Sequence, residues 1–253
     1  MDNFEFKVAL GNFAKANEKT FKVIYGGDGT LVHEWRDEHG KKKNARGLLP
    51  IRNYGLCDKH KAFYEKLFLK DDSADDNDAI SLKQVLFPTI CGKFYSSMDY
   101  RLDALSEIVV ANDDPTSAIR FNVIVDGKAI VENAIANGLI FATKLGSTGY
   151  FKSVARTMFM RGIGLGFICP TYSLPNIVAD EASIVELEVV RDAKLTVTAD
   201  KIALHGIEAP KGWKINVMDA CNNVAIFGYE QFMCPDCRKN RNSTLVNDNY
   251  FVR

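Results

Sequence analysis

Phe21-Lys22-Val23-Ile24-Tyr25-Gly26-Gly27-Asp28-Gly29-Thr30 is the stretch from which the rest of the chain is read. Five residues rich in aromatic and β-branched side chains make a short buried strand, and three glycines wrapped around one carboxylate follow it. Glycines at 26, 27 and 29 permit positive φ and leave backbone N–H groups bare, so that a phosphate can approach closely. Asp28 then needs a purpose, because a carboxylate repels a neighbouring phosphate. It can hold Mg²⁺, bond a sugar hydroxyl, or take a proton from one, which is the chemistry of phosphoryl transfer. From Leu31 to about Glu38 the pattern turns helical, placing the glycines between a strand and a helix start, where the macrodipole favours an anion. A plain strand-to-helix turn with a capping Asp is the competing reading of the same residues.

Working outward, Phe4, Val8, Ala9 and Phe13 recur at helical spacing and predict an amphipathic helix over residues 3–18. Gly47 to Asn53 predicts a second strand, closed by a turn at Asn53-Tyr54-Gly55. Two strands ending on one side of a parallel sheet would form the crevice in which open α/β sheets bind ligands. Residues 60–69 read as a helix with Phe63, Leu67 and Phe68 inward. Lys41-Lys42-Lys43-Asn44 and the five aspartates of Asp71–Asp78 read as solvated connections; the aspartates lack the Gly and closing Glu of an EF-hand. Beyond about residue 94 the character changes. Leu105–Val110, Ile119–Val125, Leu139–Ala142, Ile184–Val190, Lys194–Thr198 and Trp213–Met218 are strand-like, and Gly149 to about Met160 is the one helical stretch. The predicted fold class is α/β plus β: a Rossmann-like amino-terminal domain over 1–92, then a β-rich, β-sandwich-like domain over 93–253 that includes a terminal tail.

Composition narrows the partners. Lys+Arg and Asp+Glu are both 32 in 253 residues, and the isoelectric point is near 6.9. That balance argues against a nucleic-acid groove or a membrane-surface patch, both of which need a basic excess. No apolar run is long enough to span a bilayer and no leader pattern is evident, so the expectation is a cytoplasmic protein acting on small molecules. The six cysteines are scattered rather than framed, as expected of reduced thiols.

A second loaded stretch runs from Asn137 to Tyr150, Asn-Gly-Leu-Ile-Phe-Ala-Thr-Lys-Leu-Gly-Ser-Thr-Gly-Tyr. Its Gly146-Ser147-Thr148-Gly149 segment lies after a strand and before a helix, and offers backbone donors and hydroxyls to a polar ligand. With the glycine turn near the start and Ser106-Glu107 opening the β-rich half, the three segments together resemble the NAD kinase family. That family carries Gly-Gly-Asp-Gly, an Asn-Glu pair, and Asp-Gly-Leu followed by Thr-x-Thr-Gly-Ser-Thr-Ala-Tyr. Order, spacing and setting agree from roughly Phe21 to Trp213. Asn53-x-Gly55 is similar to the family's Asn-x-Gly turn, and Pro170 to Leu174 to an altered Pro-His-Ser-Leu region.

The resemblance implies an enzyme that moves the terminal phosphate of ATP, or of polyphosphate in some members, to the 2′-hydroxyl of the adenosine ribose of NAD, giving NADP. It implies that Asp28 is the general base, that the amides of Gly26, Gly27 and Gly29 face donor phosphates, that Thr30 belongs to the nucleotide site, and that Glu107 bonds ribose hydroxyls. By the same resemblance Asn53, Ser106, Asn137, Gly146, Ser147, Thr148, Gly149, Tyr150, Ser153 and Asp200 belong to the nucleotide site. Mg²⁺ would travel on the nucleotide phosphates, with no metal held by the protein. A homodimer or homotetramer is implied as well. The chain departs from the pattern at Ser106 (Asn in the family), Asn137 (Asp), Leu145 (Thr or Ser) and Gly149 (Ala). Ser106 shortens the reach to the ligand and Asn137 removes a charge, each at a cost on the order of 1–3 kcal/mol if its partner stays buried. These departures motivate an alternative, a catalytically silent NAD(P)-binding protein of the same fold.

Lipid kinases share the glycine turn but not the Gly146–Tyr150 segment. Cys234-Pro235-Asp236-Cys237 reads as two surface thiols, with metal binding as the alternative reading: one pair cannot fill a tetrahedral zinc site and no second pair or suitably spaced His follows, although Cys221 is nearby. His33 falls on the helix after the glycine turn, while His39, His60 and His205 show no partner in the sequence. Residues 227–232 read as core.

Overall fold

A computed structural model describes residues 3–40, 47–68 and 82–237. The basic stretch 41–44, the aspartate run 71–78 and the tail beyond 237 lie outside the described residues. The chain has a mixed, sheet-rich α/β fold in two compact units, residues 1–86 with 225–253 and residues 87–224.

In the first unit, α1 (Asn3–Ala16), β1 (Phe21–Tyr25), α2 (Asp28–Gly40), β2 (Gly47–Ile51) and α3 (Asp58–Phe68) alternate helix with strand. β1 and β2 pair in parallel, Phe21 against Gly47 through Tyr25 against Ile51. All five residues of β2 are buried, as expected of a strand flanked on both sides. Its other neighbour is the end of β14 (Lys214–Phe227), where Ile226 pairs with Leu48 in parallel. Gly47 is needed there, because a Cβ would run into the Phe227 ring. Leu10, Phe21, Leu49, Ile51, Tyr64 and Leu67 form the core of this unit.

The second unit holds two antiparallel sheets. One is ordered β10 (Ile177–Ala179), β9 (Ile163–Ile168), β8 (Gly138–Ala142), β5 (Glu107–Asn112), β12 (Ala193–Ala199), β13 (Ile202–Ala209). In the other, β14 is followed by β11 (Val185–Val189), β6 (Ile119–Val125) and β7 (Lys128–Ala136), with β3 (Gln84–Tyr95) pairing β14 and β4 (Asp99–Ala104). β6, β11 and β12 bury alternate residues, so each turns one face inward. Phe121, Leu187 and Ile215 from one sheet and Ile108, Phe141 and Leu195 from the other share a single core. β8 is buried on both faces, because α4 (Tyr150–Ala155) lays Phe151 and Ala155 over Ile140 and Ala142.

Several sequence expectations change. α2 begins at Asp28, so only Gly26 and Gly27 form the turn and Asp28, Gly29 and Thr30 are its first helical residues. The helix expected to run to Met160 ends at Ala155, where Arg156 adopts a left-handed conformation with φ 57°. The strand expected at 213–218 continues to Phe227 and returns the chain to the first unit, so residues from 225 onward group with the amino-terminal residues and not with the β-rich ones.

Candidate functional site

The parallel register of β1 and β2 ends both strands on one edge, with the Gly26 N–H donating to the Ile51 carbonyl at 2.9 Å. The glycine turn therefore stands beside Arg52 and Asn53. Neither Gly26 nor Gly27 is among the positive-φ glycines, whereas Gly55, in the turn after Asn53, has φ 70°. What the turn needs is missing side-chain volume. A Cβ on Gly26 would fall inside the Thr30 side chain. The Gly27 carbonyl accepts from the N–H groups of Thr30 and Leu31, each at 3.0 Å, which starts α2 and leaves its first-turn donors without intrahelical acceptors. Such an end favours an anion.

Asp28 sits on that first turn with 63% of its side chain exposed. Arg52, buried with 5% of its surface exposed, grips it in a fork: Nη2 donates to Oδ1 at 2.9 Å and Nη1 to Oδ2 at 3.4 Å. The guanidinium lies 3.6 Å over the Phe232 ring, and Nε donates to the Phe232 carbonyl at 3.2 Å. Arg52 was not singled out by sequence reasoning, because a lone Arg at a strand end carries no motif. Tyr229 stands close enough for burial and the Asp28 charge to push its phenol up to about 12, against the opposing pull of Arg52. Asn53 is exposed and its carbonyl accepts from the Tyr25 hydroxyl at 3.3 Å. His33 is an exposed residue of α2, 3.8 Å from Glu34.

In the second unit, Ser106 and Glu107 are held by Asp200. Its carboxylate accepts from the backbone N–H groups of Leu105, Ser106 and Glu107 at 2.9, 2.9 and 3.0 Å. Asp200 thus acts as a clamp on the turn entering β5. The Ser106 hydroxyl donates to the Glu107 carboxylate. Burial pushes the Glu107 carboxyl above the ordinary 4.5, the Ser106 bond opposes this, and Asp200 adds to it.

Gly146 opens a 3-10 turn, Gly146–Thr148, laid directly on this pair. A Cβ at Gly146 would collide with the Ser106 carbonyl, whereas one at Gly149 would meet nothing nearer than 3.5 Å. Thr143 fastens the turn: its N–H donates to the Ser106 carbonyl at 2.9 Å and its hydroxyl to that of Leu105 at 2.6 Å. The hydroxyls expected to meet a ligand are largely occupied. Ser147 is 1% exposed and donates to the carbonyls of Lys144 and Phe159, at 2.8 and 3.1 Å. Those of Thr148 and Ser153 bond the Leu145 and Gly149 carbonyls. Tyr150 is 44% exposed, and burial raises its phenol, with smaller contributions in the same direction from Cys169 and Glu107. Asn137 stands apart, at the end of β8 opposite the Glu107–Ala142 pair, about 17 Å along the strand. Its amide donates to the Pro115 carbonyl at 3.0 Å.

Cys234 and Cys237 are not surface thiols. They are 7% and 0% exposed, because the chain's return to the first unit carries them inward. His205 also has partners, Thr196 at 3.0 Å and Asp113 at 3.7 Å.

A glycine-lined helix start bears an exposed carboxylate, a second turn rests on a half-buried glutamate, and both stand in a mixed, sheet-rich α/β fold. In sequence and in fold the chain is similar to the NAD kinases. It is 26% identical to the NAD kinase of Pyrococcus abyssi and 25% to that of Pyrococcus furiosus, in each case over 185 residues, 71% of this chain and 63% of the relative. Against the NAD kinase of Gemmatimonas aurantiaca it is 28% identical over 148 residues, 54% of this chain and 46% of the relative. The chain thus spans less than two thirds of these relatives' length. No family model matches. Among solved structures, yeast NADH kinase complexed with NADH superposes with a TM-score of 0.66 at 16% identity, covering 89% of this chain and 65% of that one. An NAD kinase from Archaeoglobus fulgidus in complex with ATP gives 0.59 at 19% identity, covering 86% and 82%. Among the described residues no helix is long and apolar enough to cross a membrane.

Proposed function

We propose that the chain is an NAD kinase-like phosphotransferase that moves the terminal phosphate of ATP to the 2′-hydroxyl of the adenosine ribose of NAD. The observation that carries this reading is the Asp28 carboxylate, exposed on the first turn of α2 and held by a buried arginine, in a chain similar to named NAD kinases. Phosphoryl transfer asks for in-line positioning and charge neutralisation more than for covalent chemistry. Asp28 accepts the ribose proton as the phosphate leaves ATP. Arg52 is a positioning residue that fixes the carboxylate's direction. The first N–H groups of α2 and the turn of Gly26 and Gly27 receive donor phosphates. Glu107 accepts hydrogen bonds from ribose hydroxyls, with Asp200 as its clamp and Tyr150 alongside.

Mg²⁺ fits this scheme as a passenger on the ATP phosphates. Both oxygens of Asp28 are engaged by Arg52, so the turn offers no multi-carboxylate cage, and Mg²⁺ with several retained waters suits a phosphate carrier. We read the two units as a Rossmann-like donor-phosphate domain and a β-sandwich-like dinucleotide domain, in a cytoplasmic homodimer or homotetramer. ATP labelled at its terminal phosphate, incubated with NAD and Mg²⁺, tests the activity. Label recovered at the 2′ position of NADP supports the reading. Label released only as inorganic phosphate, or none transferred, refutes it.

A further inference from the structure

Cys57, His60, Cys234 and Cys237 place one ligand atom each within 4.8 Å of all the others. The pairs come from sites far apart in sequence. Cys57 and His60 flank the start of α3, and Cys234 and Cys237 lie just past α5 (Tyr229–Phe232). Nδ1 of His60 is 3.4 Å from the Cys57 sulfur and 3.3 Å from the Cys237 sulfur, and those two sulfurs are 3.5 Å apart. A tetrahedron with zinc–sulfur arms of about 2.3 Å and a nitrogen arm of about 2.0 Å has edges of roughly 3.5–3.8 Å. Cys57, His60 and Cys237 therefore already stand close to the separations a single ion sets, and the Cys234 sulfur lies within 4.8 Å of each of them.

We propose that this Cys₃His cluster is a structural zinc site, formed by Cys57-x-x-His60 and Cys234-x-x-Cys237. Three soft thiolates and an imidazole select zinc over magnesium or calcium, which take oxygen ligands. Four protein donors complete the tetrahedron and leave no open position for a substrate, so the ion's role is structural. The surroundings fit as well. His60, Cys234 and Cys237 are buried, and the Cys57 N–H points at the Cys237 sulfur from 3.2 Å, an outer-shell bond that supports a thiolate ligand. Four cysteine and histidine side chains gathered from two ends of the unit are more than apolar packing requires.

The ion would fasten the carboxyl-terminal segment to α3. That segment has only a four-residue helix of its own before Cys234, too short to persist without tertiary anchors. Its Phe232 and Met233 are the residues on which Arg52 rests. Binding displaces the three thiol protons and makes three Zn–S bonds and one Zn–N bond, with no change of oxidation state.

The test is metal content and geometry, which do not depend on catalysis. The full chain, purified without chelator, should carry one zinc per chain by elemental mass spectrometry. Exchange into Co²⁺ should give intense visible d–d bands and thiolate-to-cobalt charge transfer, the signature of a tetrahedral thiolate site. Cys234→Ser and Cys237→Ser should lose the metal, His60→Cys should keep it, and Cys221→Ser, at an exposed cysteine outside the cluster, should be unaffected. The wild-type cobalt spectrum decides the matter even if a serine variant fails to fold. Protein that carries no zinc and gives only weak octahedral cobalt bands would overturn the proposal. So would a disulfide mapped among these three cysteines.

Discussion

Asp28 and Arg52 form an unequal pair, one partner exposed and the other buried, and in the proposed reaction that inequality gives an accessible carboxylate a fixed direction. A carboxylate free in water samples many directions. One gripped by a guanidinium that is itself stacked on Phe232 has few. Arg52→Lys keeps the charge but loses both the fork and the stack, so we expect at least a tenfold fall in kcat for NADP formation, with KM for ATP changed less. Steady-state kinetics would show it, and an unaltered kcat would remove Arg52 from the account. Glu107 yields a prediction about pH. Its folded pKa lies above the ordinary 4.5, chiefly through burial. The native state therefore holds that proton more tightly than the unfolded chain. The resulting stabilisation is complete below about pH 4.5 and is lost as the pH rises through the folded value. Glu107→Gln should accordingly melt higher than wild type at neutral pH, with the gap closing in acid, while its nucleotide binding weakens. Thermal melts across pH would check this, and a variant less stable at neutral pH would contradict it. Residue types pointed to Asp28 and the family resemblance to Glu107, but Arg52 and the clamping role of Asp200 depend on distant backbone and were invisible in the sequence.

Elements carry the next layer. The turn at Gly146–Thr148 works because Gly146 lets it lie on Ser106 without a Cβ between them. Gly146→Ala should cost about 1–3 kcal/mol and disturb dinucleotide binding. By contrast, Gly11→Ala, in α1 with nothing within 4 Å of the added carbon, should stabilise by a few tenths to about 1 kcal/mol. Denaturant melts of the two variants would compare them, and equal effects would deny Gly146 its packing role. The Cys57, His60, Cys234 and Cys237 cluster predicts that zinc removal by a strong chelator lowers Tm by more than about 4 °C, roughly 1 kcal/mol or more for a chain of this size. Calorimetry with and without re-added zinc would show whether the loss reverses. Strongly patterned elements were legible: β1 and β6 start and stop where their β-branched runs do. β3 was hidden by Pro88 and Gly92, and β7 by its mostly exposed polar face, both features that argue locally against a strand.

At the scale of the whole molecule, the chain leaves its first unit, builds two antiparallel sheets, and returns along β14. Local patterns revealed the change of character after about residue 94, because periodicity is a property of neighbours in sequence. They could not reveal the return, which depends on Ile226 pairing with Leu48. The same return explains why Cys234 and Cys237 read as stray thiols: their partners lie about 180 residues earlier, 180 for Cys57 and 177 for His60. The central claim remains chemical, that Asp28 takes the ribose proton while ATP gives up its phosphate. Its most direct test is the rate of NADP formation from NAD and MgATP, read with an NADP-specific dehydrogenase, for wild type beside Asp28→Asn. The account predicts turnover by the wild type and a loss of about 100-fold or more in the variant, with the melting temperature little changed. An Asp28→Asn variant as active as the wild type, or a folded wild type that makes no NADP from any phosphate donor, would contradict it.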